Sequence, residues 1–137
     1  MSDSPEAQWQ AYHARKRAER LSEAEAVWRA LAAVGVGNDT VLVVEFTHFG
    51  ADRARAEALA RQLSEHYTAT LEAGNDGYWL VRGTTHPYGV SFDDAQHRDW
   101  VEFMCDLAQS HGCVFSTWAV TVHPRGPRID SEAIEAP

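Results

Sequence analysis

Three features of the sequence predict an α+β domain in which a four-stranded antiparallel sheet carries two helices on one face. Residues 41–49 (VLVVEFTHF) open with Val41, Leu42, Val43 and Val44, and three β-branched residues in four favour an extended backbone buried on both sides. Apolar residues recur at three- and four-residue steps through 52–66 and 93–111, the pattern of helices with one buried face. Between those helices, two short runs flank Asn75-Asp76-Gly77, whose residues tolerate positive φ, so 67–83 reads as a hairpin.

The elements follow in order. Ser4-Pro5-Glu6 is a helix start, because serine can accept from an orphan amide and proline at the first helical position loses no hydrogen bond. The helix is expected to run toward Gly35 and Gly37, with Ala24, Val27, Trp28, Leu31 and Val34 as its apolar stripe. Its middle does not carry the stripe, and Ser22 and Glu25 have capping-box spacing. The segment is therefore either two helices meeting near Leu21 or one long solvated helix. Asn38-Asp39 turns the chain into the first strand, Gly50 ends it, and Asp52 offers an N-cap.

Ala56, Leu59, Ala60 and Leu63 give the next helix its inward face, with Arg55, Arg61 and Gln62 outward. Tyr67, Ala69 and Leu71 alternate with Thr68, Thr70 and Glu72 in a strand over 67–72, and 78–83 (YWLVRG) returns beside it. His86-Pro87-Tyr88-Gly89 is a loop. In 93–111, Trp100 or Val101 joins Met104, Leu107, Ala108 and His111 on one face, and Gly112 supplies the stop. Residues 114–122 (VFSTWAVTV) form the last expected strand.

The order strand, helix, strand, strand, helix, strand closes most simply as a ferredoxin-like βαββαβ sandwich, preceded by an N-terminal helical segment. Its expected divisions are a helical extension over 1–37, the sandwich over 38–124 and a flexible acidic tail over 125–137. The first and third strands would be central. Glu45, Thr47, Thr68, Thr70, Thr117 and Thr121 would line the sheet face opposite the helices, with a Glu45 to Arg82 pair as one option there.

The 137 residues, 45% hydrophobic, suffice for one core. Twelve Lys and Arg against twenty Asp and Glu leave a net charge of −8, which repels phosphate backbones and suits a basic partner. RNA-recognition domains share the element order, but their third-strand pattern is broken here by Asp76, Leu80 and Val81, so no direct nucleic-acid ligand is expected. No window approaches the roughly 18 apolar residues of a bilayer span, and the start MSDSPEAQWQ lacks a signal pattern. The expectation is a cytoplasmic protein with no membrane contact. Cys105 and Cys113 form no Cys-x-x-Cys and read as reduced core thiols.

No nucleotide-binding, nucleophile-elbow or metalloprotease motif occurs, so no catalytic residue is assigned and no cofactor is expected. His48 and His86 lie near strand ends and His111 and His123 bracket the last strand. A metal would need three or four ligands converging at about 2 Å, which this spacing does not require. Phe46 and His48 share a strand face and read as core and core-edge. Half of the excess negative charge falls within 93–124, where Asp99, Glu102 and Asp106 form an acidic stripe opposite Met104, Leu107 and His111. Repulsion along such a stripe would be relieved by an arginine-rich partner, which makes these three residues the candidate partner-binding set.

Residues 23–122 resemble the family of regulators of ribonuclease E activity B. The resemblance is carried by VEFTHFGADRARAEALARQLSEHY, by Trp79 and Val81, by FDDAQHRDWVEFMCDLAQSHG and by FSTWAV. Phe115-Ser116-Thr117-Trp118 departs from the family's Tyr-Asp-Gly-Trp, and the family's long acidic tail is reduced to Asp130, Glu132 and Glu135. The resemblance implies a non-enzymatic inhibitor that binds the arginine-rich scaffold region of a ribonuclease E or G-type enzyme and so modulates RNA decay. Two rivals are an immunity or antitoxin-like domain with an unrelated basic partner, and a metal or small-molecule site built on His48 and His86. The role of the cluster Arg15-Lys16-Arg17 is open: solvated surface, or a cover for the acidic helix in place of a partner.

Overall fold

The computed structural model describes residues 4–123 and 125–134. It is a mixed α+β structure of three helices and a five-stranded antiparallel sheet. The elements run α1 (Pro5–Ala33), β1 (Leu42–Gly50), α2 (Arg53–Leu63), β2 (Thr68–Ala73), β3 (Trp79–Thr84), α3 (Asp94–Ser110), β4 (Val114–Val122) and β5 (Arg128–Asp130). The sheet order is β2-β3-β1-β4-β5, which puts β1 in the middle.

The N-terminal segment is one continuous helix of 29 residues, about 44 Å long at 1.5 Å per residue, and Ser22 does not interrupt it. The Ser4 side chain caps it by accepting from Ala7 N, and Pro5 follows at the first position. Its end is a Schellman motif: Gly35 (φ 91°) donates to Ala32 O and Val36 donates to Leu31 O, which also brings buried Val36 onto Leu31. Val34, expected in the apolar stripe, is instead 46% exposed, because it is the cap residue where the helical path ends.

The two halves of α1 are held differently. Ala24, Ala26, Val27 and Leu31 are buried, and Val27 and Leu31 each contribute roughly 1.5–3 kcal/mol by leaving water. Residues 5–20 bury only His13. Because Ala24, Val27 and Leu31 share one core with Leu42, Val44, Val101, Met104 and Val120, the helical extension belongs to the same hydrophobic unit as the sheet.

Strand β1 alternates as its sequence requires. Leu42, Val44, Phe46 and His48 face the helices, while Glu45 and Thr47 face away. Gly83 pairs with Phe46 across β1 and β3, and a Cβ there would overlap the Phe46 ring, so glycine leaves the ring its seat. The β1–β4 register shifts between Thr47 and His48, opposite Ser116. This bulge lets Trp118 oppose Phe46 and Phe115 oppose His48 on the core face.

The hairpin turn behaves as its residues dictate, with Asp76 at φ 59° and Gly77 at φ 80°. Helix α2 is capped by Asp52, and α3 by a capping box between Asp93 and Gln96. Both cysteines are free and buried, in accord with core thiols.

Two expectations are corrected. The sheet has five strands rather than four, because Arg128, Ile129 and Asp130, placed in the flexible tail by sequence, pair with Thr121, Val120 and Ala119. Ile129 packs against the core, and Ser131 fastens the strand: its hydroxyl accepts from Trp118 N at 3.0 Å and its amide donates to Trp118 O at 2.9 Å. Alternation over three residues is too short to register as a period, so the strand was invisible to pattern reading. Arg82 pairs with Glu72 on β2 at 2.6 Å and not with Glu45 on β1, although both carboxylates are its diagonal neighbours on the open face.

Candidate interaction surface on the seam between α1 and α3

Helix α1 lies antiparallel to α3, as two sets of ion pairs show: Glu25 meets Arg98 at 3.0 Å, and further toward the start of α1, Arg17 meets the C-terminal half of α3. The Arg17 guanidinium spans two carboxylates one turn apart. Nη2 donates to Glu102 Oε1 at 2.8 Å and Nε donates to Asp106 Oδ1 at 3.0 Å. The hydrogen bond to Asp106 raises the Arg17 pKa above its ordinary value.

The stripe is divided by this contact. Glu102 and Asp106 lie together under Arg17, at side-chain exposures of 42% and 54%. Asp99 is exposed one turn earlier, with no partner among the described residues. Between Asp99 and Asp106, four residues after the first and three before the second, stands Phe103, 52% exposed. Sequence reasoning missed it: the inward set on α3 is His97, Val101, Met104, Cys105, Leu107 and Ala108, and Phe103 falls outside it. A large aromatic off the apolar stripe was the available signal.

The cluster Arg15-Lys16-Arg17 separates by direction. Arg15 and Lys16 sit over the Tyr12 ring at 5.9 and 5.6 Å on α1 itself, while Arg17 crosses to α3. Arg17 thus lies on Glu102 and Asp106 of the acidic helix. Arg20, deeper in the seam, donates to Phe115 O at 3.2 Å and pairs with Glu23. His13 is buried; burial lowers its pKa, the Cys113 backbone and Asp106 act the other way, and its Nε2 has no partner among the described residues. At the start of α1, Trp9 and Tyr12 line an open groove with Phe49 and Tyr78.

The histidines do not converge. His48 is fully buried in the core, His86 and His123 are exposed, and His111 hydrogen-bonds Gln62 at 2.7 Å. Among the described residues no group of three or more His, Cys, Asp or Glu is arranged to hold a metal. On the open sheet face, a cleft of about 370 Å³ is lined by Glu45, Thr47, Arg82, Thr117, Arg128 and Asp130 among others, with Arg128 drawn to Asp130 at 3.5 Å. No helix among the described residues is long and apolar enough to cross a membrane. No protein-family model matches the chain, and no curated protein matches it.

Proposed function

We propose that the chain is a non-enzymatic interaction module that binds an arginine-rich protein segment along α3, through Asp99, Glu102 and Asp106. The observation that carries this reading is the seat of Arg17: its own α3 already holds one guanidinium between Glu102 and Asp106 in hydrogen-bonding geometry. Asp99 extends the same line of charge, and the exposed Phe103 ring between the carboxylates offers a guanidinium a face to stack on. The net charge of −8 adds long-range attraction for a basic partner.

The resemblance to the ribonuclease E regulators supplies the partner class, a ribonuclease E or G-type enzyme, and with it a role in modulating RNA decay. It also supplies the ferredoxin-like reading of the fold, which the strand order β2-β3-β1-β4 supports, with β5 as an addition. Retention experiments from the cytoplasm of the source cell, at low and at high salt, test the assignment. A ribonuclease or RNA-processing protein held at low salt and released at high salt is expected, and its absence at low salt removes the ribonuclease assignment.

A further inference from the structure

We propose that residues 5–20 of α1 are a built-in pseudo-ligand, occupying the α3 surface that an arginine-bearing partner helix takes, and that they lift away about Leu21 and Ser22 when such a helix binds. This rests on the arginine-binding reading above and adds the form of the partner and the event that admits it.

Three observations carry it. First, residues 5–20 are held to the body by the polar contacts of Arg17 with Glu102 and Asp106 and of Arg20 with Phe115 O, whereas the C-terminal half is anchored by buried Val27 and Leu31. Second, the boundary between the halves carries a latent start signal: Ser22 and Glu25 have capping-box spacing, so a helix shortened from the front has an N-cap ready. Third, Trp9, His13 and Arg17 recur every four residues on one helix face, with Trp9 at the groove shared with Phe49 and Tyr78, His13 buried and Arg17 on the α3 carboxylates, which defines the chemistry of a replacement: a helix with arginine at one position and rings four and eight residues before it.

The Cys105 thiol reports the lift, because it is buried within electrostatic reach of Arg20, Asp106, Arg17 and Glu23 along this seam. In the full chain, alkylation of Cys105 is followed by mass spectrometry, with urea unfolding measured alongside. Arg17→Ala is expected to speed Cys105 labelling about fivefold, the effect of removing surface ion pairs on an opening equilibrium, with little change in the urea midpoint. For wild-type chain, raising salt to about 1 M screens the same pairs and has the same expected direction. A synthetic peptide of residues 4–21 should restore protection to the Arg17→Ala chain, while the peptide carrying Arg17→Glu should not.

Labelling unchanged by both Arg17→Ala and salt, or accelerated only in step with a lowered urea midpoint, overturns the proposal, as does a 4–21 peptide that gives no protection. An oligo-arginine peptide is titrated in parallel. If it binds while the 4–21 peptide fails, the pseudo-ligand falls and the acidic-surface reading stands; if it fails too, that reading falls with it.

Discussion

The indole Nε1 of Trp118 donates to Nε2 of His97 across 3.2 Å, inside the core. An indole N–H only donates, so His97 is neutral with its proton on Nδ1, an atom that has no partner among the described residues. Replacing His97 with Phe removes the acceptor and leaves the Trp118 N–H buried and unsatisfied, at a cost of about 1–3 kcal/mol. Urea unfolding of His97→Phe checks the cost, and nitrogen NMR of the wild-type ring checks the tautomer.

Burial holds the pKa of His97 down to about 4 and that of His48 down to about 3. For His48 the nearby His111 acts in the same direction. Unfolded imidazoles titrate near 6.5, so above that pH neither state gains a proton and stability is flat in these groups. As pH falls below 6.5 the unfolded chain binds protons that the folded chain refuses. Stability should then fall by up to about 1.4 kcal/mol per pH unit for each histidine, down to about pH 4 for His97 and about pH 3 for His48. Urea midpoints from pH 8 to pH 4 check this, and a profile flat through that range contradicts it.

His48 offers the opposite sign of mutational effect. Both of its ring nitrogens lack partners among the described residues, and Phe46 and Phe115 pack around it. Leucine in its place should raise stability at pH 7 by about 1 kcal/mol, since an unpaired buried polar group is removed, and should shrink the acid sensitivity. A loss of stability in urea would show that the ring contacts outweigh the unpaired nitrogens.

Gly83→Ala should cost about 1–3 kcal/mol, because the new Cβ meets the Phe46 ring in a packed core. Adding Phe46→Leu should recover part of that loss, so the double variant unfolds at a higher urea concentration than the sum of the single changes allows.

The contrast within α1 gives a further outcome. Leu31→Ala should destabilise the whole fold by about 2–5 kcal/mol, whereas Arg17→Ala should change the global value by about 1 kcal/mol or less. Hydrogen exchange resolves the difference by segment: amides of 5–20 exchange faster in Arg17→Ala, while those of 24–33 stay protected.

Much of the fold was legible because long segments carry a clear period. Strand 114–122, helix 93–111 with its Asp93 cap and Gly112 stop, and the Asn75-Asp76-Gly77 turn all follow from local chemistry that tertiary context did not override. Strand β5 was not legible, since three residues show no period and the strand depends on Ser131 meeting Trp118, 13 residues earlier on the neighbouring strand. The continuity of α1 was undecided because Ser22 serves equally as a cap or as a solvated helical residue. The candidate site was legible in part. Asp99, Glu102 and Asp106 share a stripe as their spacing requires, but the meeting of Arg17 with Glu102 and Asp106 joins residues up to 89 apart, which no local pattern encodes.

The most direct measurement is the affinity of an oligo-arginine peptide for four versions of the full chain at low salt: wild type, Asp99→Asn, Glu102→Gln with Asp106→Asn, and Arg17→Ala. Loss of the carboxylates should weaken binding, and loss of Arg17 should strengthen it about fivefold, because the guanidinium that competes for Glu102 and Asp106 is gone. Binding that is insensitive to the three acidic positions, or that weakens when Arg17 is removed, contradicts arginine recognition along α3.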